Sequence, residues 1–271
     1  LAGLLLEVCG GSVYVTGLYA EDLKRRFFPG PGGQSRVEEL VFACNLGNWL
    51  PAAGFFMDSP AGGARNTALV ASALTLAGYG GLWAWSSGAV GLAHWQVLAL
   101  WFLWGHGSGW FDNAAVSTAA RNFPMQRGRA IALIKAFYGL SGSILTQVYR
   151  IFFFERTSAF LLFLGVYLSL QGALCAPFVY PVPPRAHGER DEPVRRLTTG
   201  LGIVLGLALF LLAATVARAL WGASPALEVA VFALMLVLLA SLAVIARGTR
   251  GGGGAAEEER AAGAPGGGPA A

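Results

Sequence analysis

Eight blocks of about 20 mostly apolar residues, separated by short polar connections, limit what this chain can become. They fall at 1–20, 37–57, 66–90, 92–120, 130–149, 158–180, 199–220 and 226–246. A hydrocarbon core of about 30 Å asks a helix for about 20 such residues. Composition agrees: 55% of the 271 residues are hydrophobic and 13% charged, against roughly 25% charged in a soluble domain. Mean hydropathy is +0.56. The expected fold is all-α and polytopic, in contact with the lipid bilayer.

The net charge of +4 is loop charge. The arginines sit between apolar blocks rather than interleaving with aromatics on one exposed face, so no nucleic-acid footprint is present. Cys9, Cys44 and Cys175 lie inside apolar blocks without metal-type spacing and read as packing residues. The chain opens at Leu1 inside an apolar run, without Met, basic leader or cleavage site, so it reads as a fragment. Connections after even-numbered blocks carry more arginine than those after odd-numbered ones, although Lys24, Arg25 and Arg26 run against the trend. The positive-inside rule then places the even connections in the cytoplasm.

Local features refine this picture. The stretch EDLKRRFFPGPGGQSR after the first block reads as a charged loop with a Pro/Gly turn. Gly47 and Gly54 in the second block suit close helix approach, and Trp83 and Trp85 suit an interfacial belt. In the fifth block Ala132, Ala136, Gly139 and Ser143 form a small-residue stripe suited to packing. The segment from Gly248 is Gly/Ala-rich and cannot build a core.

The fourth and fifth blocks each carry a charge at depth. Asp112 lies nine residues before Arg121, and Lys135 eight after Arg127, on either side of the loop NFPMQRGR. At 1.5 Å per residue both sit roughly 12–14 Å inside the same membrane face. Adjacent antiparallel helices would set acid against base, either as a structural lock or as a functional site. Glu7 lies at a comparable depth in the first block. His106 points about 120° away from Asp112, while Asn113 shares the histidine's face. His106 reads as a proton relay or as a satisfied interior histidine. Polar residues concentrate in blocks one (Glu7), two (Asn45, Asn48), four (His106, Asp112, Asn113) and five (Lys135, Gln147). In such a cluster Lys135 would attract an anionic solute while Glu7 or Asp112 exchanges a proton.

An enzyme is not expected. GHGSG lacks the strand–turn–helix setting of a phosphate loop, no HExxH or Cys/His metal spacing occurs, and Ser141 and Ser143 have no histidine in their block. No cofactor and no metal follow from these residues.

Two motifs carry a resemblance. GFFMDSPAGGAR, from Gly54 through Asp58 to Arg65, resembles the loop motif of the major facilitator superfamily, where the acid latches helix ends. The longer stretch is similar to the plant nodulin-like family of that superfamily. Its pattern falls on Gly105, Gly107, Trp110, Arg121, Asn122, Phe123, Pro124, Arg127, Gly128, Lys135, Gly139, Leu140, Ser141, Gly142, Thr146 and Tyr149. Ala132 and Ala136 replace usual glycines, and Asp112 stands where a neutral polar residue is frequent.

The resemblance implies a facilitator-type six-helix bundle over 1–180, a cytoplasmic connection at 181–198 and two further transmembrane helices over 199–246. A disordered loop or tail would follow at 247–271. It also implies a twelve-helix secondary transporter, with helices one and four lining the cavity; the Glu7, Asp112 and Lys135 cluster adds the expectation of a small anionic or polar organic solute coupled to protons. The alternative is a membrane sensor or interaction scaffold on the same bundle.

Overall fold

The computed structural model describes residues 1–182, 191–222 and 224–247. The elements are α1 (Ala2–Gly10), a 3₁₀ stretch (Gly11–Val15), α2 (Gly17–Phe27), α3 (Gly33–Trp49), α4 (Ala52–Met57) and α5 (Ala64–Ser86). There follow α6 (His94–Asn122), α7 (Arg127–Val148), a π turn (Tyr149–Phe153), α8 (Thr157–Cys175), α9 (Asp191–Trp221) and α10 (Pro225–Arg247). Among the described residues six helices are long and apolar enough to cross a membrane, counting α3 with α4 as one, and the bent α1–α2 pair, taken as one span, makes a seventh. At 29 residues α6 is long enough to cross but is not among these spans; it carries His106, Asp112, Asn113 and four tryptophans. It is packed between α1, α3, α5 and α7.

Helix breaks follow from local chemistry. Pro51 cannot donate to the ladder, and Leu50 before it is extended (φ −68°, ψ 129°), so α3 ends there and α4 restarts. The first span winds tightly after Gly10 and then bends by 41° between Val15 and Gly17. In the tightly wound stretch a side chain on Gly11 would fall on Ser141 Oγ and the Tyr138 carbonyl of α7. Only glycine permits that approach. The α3–α6 contact has the same origin, Gly47 lying on the Phe102 carbonyl and Gly105 on that of Cys44.

Four expectations are corrected. The sequence EDLKRRF is helical rather than loop: Asp22 accepts from Arg25 (3.1 Å) and Arg26 (3.0 Å), and Lys24, Arg25 and Arg26 fill the last turn of α2, favoured by the helix dipole. Residues 191–198, read as connection, form the start of α9. Trp85 turns inward rather than toward lipid: it is buried, its ring 4.1 Å from that of Phe27, while Trp83 is exposed. The stripe on α7 does not carry its packing: Ala132 is exposed, and a Cβ on Gly139 would meet nothing within 4 Å. The close contacts run through Ser141 and Gly142, against Gly11 and Tyr14. The connection at 183–190 and the segment at 248–271 lie outside the described residues.

The core is aromatic. Trp101, Trp104, Tyr19, Tyr79, Phe111 and Phe160 are fully buried, Tyr79 stacking on Trp104 at 4.7 Å. The hairpin of α9 and α10 packs on α7 and turns Leu205, Leu209, Leu212, Val229, Val237 and Val244 outward. Apolar side chains on that face are what a lipid-facing surface requires. Among the described residues the fold is all-helical, as expected of a polytopic membrane protein.

Candidate functional site

The charged residues singled out at depth converge. Lys135 Nζ of α7 donates to Asp112 Oδ1 of α6. The ammonium also lies 4.9 Å above the centre of the Tyr138 ring, one turn along α7. The lysine side chain is 45% exposed and the aspartate 25%, so the pair is reachable from outside the bundle. Glu7 of α1, wholly buried, lies within electrostatic reach of both. Neither of its carboxylate oxygens has a hydrogen-bond partner.

Backbone stitching holds this arrangement. The Gln171 amide of α8 donates to the Leu5 carbonyl at 2.7 Å, and Cys9 Sγ donates to the Leu168 carbonyl at 3.4 Å, pinning α1 on both sides of Glu7. Ser108 of α6 donates to the Gly10 carbonyl. The Tyr138 hydroxyl is met at 3.5 Å by Asn48 of α3 and at 3.5 Å by Ser108. Helices α1, α3, α6 and α7 therefore share one polar junction. Two acids face a single base within it.

The remaining cavity candidates divide. Asn48 belongs to the junction through Tyr138. Asn113 turns its amide nitrogen toward Gly54 of α4, 3.6 Å from where a Cβ would stand, and its Oδ1 is buried without a partner. Asn45 is half-buried on α3 and is not among the side chains that bond into the junction. His106 is spent elsewhere. Its Nδ1 is 2.8 Å from the Gly47 carbonyl and its Nε2 2.9 Å from Trp110 Nε1. A carbonyl only accepts and an indole N–H only donates, which fixes the neutral Nδ1–H tautomer. The ring is a bridge between α3 and α6.

At the end of the bundle where α4 and α6 finish, the two loop motifs meet. Arg121 donates to Asp58 at 2.7 Å across 63 residues of sequence. Gly63 turns the chain with φ +89° between α4 and α5. Arg65 is exposed in the first turn of α5, and Arg127 and Gly128 are exposed at the start of α7. Asn122 grips the strand-like segment after α8 at two points, donating to the Tyr180 carbonyl (3.1 Å) and accepting from the Val182 amide (2.8 Å).

Sequence reasoning missed a second ionic cluster at the opposite end. Arg218 of α9 donates to both oxygens of Glu228 of α10, at 2.8 and 2.9 Å, and to Gln147 Oε1 of α7 at 2.6 Å. Arg150 reaches the same carboxylate at 3.4 Å. Arg150 follows the fifth apolar block and Arg218 stands near the end of the seventh, so by position both resemble the loop arginines. The signal was present: Arg218 lies inside the apolar run of α9, and Glu228 stands in the first turn of α10, ten residues on. A crevice of about 420 Å³ at this end, lined by Asp22, Arg25, Arg26, Tyr149, Glu155 and Thr157 among others, does not include the Glu7–Asp112–Lys135 group.

Residues 1–246 match the model of the family described as Nodulin-like. No curated protein matches the chain. The match spans every described helix but the last residue of α10 and includes the Arg121–Gly128 loop and the paired charges that flank it. The chain is a multi-pass integral membrane protein and belongs to the Nodulin-like family.

Proposed function

We propose that this chain is the solute-binding part of a secondary transporter for a small anionic or polar organic solute, coupled to protons. The observation that carries the reading is the group of Glu7, Asp112 and Lys135, ionisable side chains from three helices held together in a membrane bundle, with the Asp112–Lys135 pair open on one side. Charge at that depth is costly, and an arrangement with one more acid than base is more than a lock requires. Lys135 supplies the attraction for the solute; the carboxyl groups supply the proton exchange. In this reading residues 1–180 form the first bundle and 199–246 two further helices, with the Asp58–Arg121 end facing the cytoplasm. No cofactor or catalytic step is involved.

The test is uptake by the full-length protein reconstituted in liposomes, using labelled organic anions and neutral polar solutes. Lys135→Ala is expected to abolish uptake of the transported solute, and Asp112→Asn to remove its acceleration by a proton gradient. Uptake unchanged in both variants overturns the proposal. Tight solute binding with no translocation would instead favour a membrane sensor built on the same bundle.

A further inference from the structure

We propose that Lys135 is a binding site for the carboxylate of an aromatic monocarboxylate, that Asp112 occupies it as a stand-in when the solute is absent, and that Asp112, once displaced, takes up the one proton that crosses with each solute. The inference rests on the transporter reading and adds the solute class and the stoichiometry.

The stand-in role follows from geometry. The Asp112 carboxylate already makes with Lys135 the contact a solute carboxylate would make, and the pair is accessible. A monocarboxylate can therefore exchange with Asp112 without a new pocket being formed. The exchange leaves Asp112 unpaired in the membrane, and charge balance then requires a proton on it. Glu7 completes the arrangement. It is fully buried, neither oxygen has a partner, and Asp112 is beside it, so a displaced Asp112 has a carboxyl group to hydrogen-bond. Facing Glu7 are Asp112 from α6, Lys135 from α7 and the Cys9 thiol on its own helix, while α8 presents the uncharged Gln171 amide next to it. The balance closes. One anion neutralises Lys135, one proton neutralises Asp112, and no net charge moves.

The solute class follows from what surrounds the ammonium. The group offers a single cation, which the first carboxylate already neutralises, so a second carboxylate on the solute would find no counter-charge there. Tyr138 lies under Lys135, and Tyr14 stands edge-on to Tyr138 with ring centres 5.5 Å apart and an interplanar angle of 85°. Tyr14 is 59% exposed and packs over Gly142, seven residues beyond Lys135 on the same face of α7. Seven residues span roughly 10 Å of helix. A carboxylate on Lys135 with a flat apolar body extending about that far would lie along Tyr138 and Tyr14.

The experiment uses the full-length protein in liposomes with 4-aminohippurate, an aromatic monocarboxylate of low passive permeability. Gluconate and phthalate serve as non-aromatic and dicarboxylate comparisons. An inward proton gradient should accelerate 4-aminohippurate uptake at least tenfold over gluconate or phthalate, and a potassium–valinomycin potential should not alter it. Asp112→Asn should retain 4-aminohippurate counterflow yet lose the response to the proton gradient and become sensitive to potential. In detergent, 4-aminohippurate should raise the unfolding temperature of the parent, less so of Lys135→Ala, with recovery in Lys135→Arg. Uptake driven by potential in the parent, proton coupling that survives in Asp112→Asn, or equal uptake of gluconate overturns the inference while leaving a transporter in place. A Lys135-dependent stabilisation without any uptake keeps the carboxylate site and overturns the transporter reading and the proton stoichiometry.

Discussion

Arg218 and Glu228 form a two-pronged ion pair, 2.8 and 2.9 Å, in which the arginine side chain is only 6% exposed. The pair joins α9 to α10, and the third donor contact, to Gln147, ties the hairpin to α7. Removing one partner strands the other in a poorly solvated place. Arg218→Ala is therefore expected to cost about 3–5 kcal/mol, while Arg218→Met combined with Glu228→Leu should recover most of it. Denaturant unfolding of the purified protein in detergent would show both. Equal destabilisation by the single and double variants would refute the argument.

His106 behaves as a bridge in this structure, both ring nitrogens being committed. His106→Ala leaves the Gly47 carbonyl and the Trp110 indole unpaired, for an expected loss of about 1–3 kcal/mol. The pH profile of uptake by the surviving folded protein should keep its shape. A shifted profile would restore the relay reading.

Asp58 and Arg121 are a different kind of pair. They lie 2.7 Å apart, but their side chains are 72% and 48% exposed. Water and salt screen such a contact, so Asp58→Asn should change stability by no more than about 1 kcal/mol. If the pair acts as a latch between loop motifs, the effect belongs in the rate of uptake. The charge-swapped double variant, Asp58→Arg with Arg121→Asp, should then restore the rate lost in either single variant.

Gly11 and Gly139 make a matched contrast. A methyl on Gly11 meets Ser141 Oγ and the Tyr138 carbonyl, whereas one on Gly139 meets nothing within 4 Å. Gly11→Ala is expected to cost about 1–3 kcal/mol through forced separation of α1 and α7. Gly139→Ala should stay within about 0.5 kcal/mol of the parent. Thermal melts of the two variants side by side decide the matter.

Much of this fold is legible in the chain because lipid imposes a length on each apolar block, and the helices fall on those blocks. The Asp112–Lys135 contact was legible for a related reason: equal depth on neighbouring antiparallel helices leaves two opposite charges few other partners. What periodicity alone does not reveal is which side of a helix meets which neighbour. The stripe from Ala132 to Ser143 looked like a packing face, yet Ser141 and Gly142 carry the contact, because the position of α1 rather than side-chain size decides it. Arg218 was misread since a charge near a block's end looks solvated until its partner on the next helix is known. The tautomer of His106 depends on Gly47 and Trp110 together, and no spacing rule encodes that pairing.

Glu7 and Tyr14 are seven residues apart, a separation that in an evenly wound helix returns to nearly the same side. One is wholly buried and the other 59% exposed. The over-wound turn after Gly10 contributes to the difference, since three steps at about 120° instead of 100° add roughly 60° of rotation. The first span thus carries a phase slip. Labelling single cysteines along it should leave positions 6 to 12 unreactive, where every side is buried, and label position 14. One transmembrane segment can in this way bury its acid in the bundle and still offer an aromatic ring to the open side.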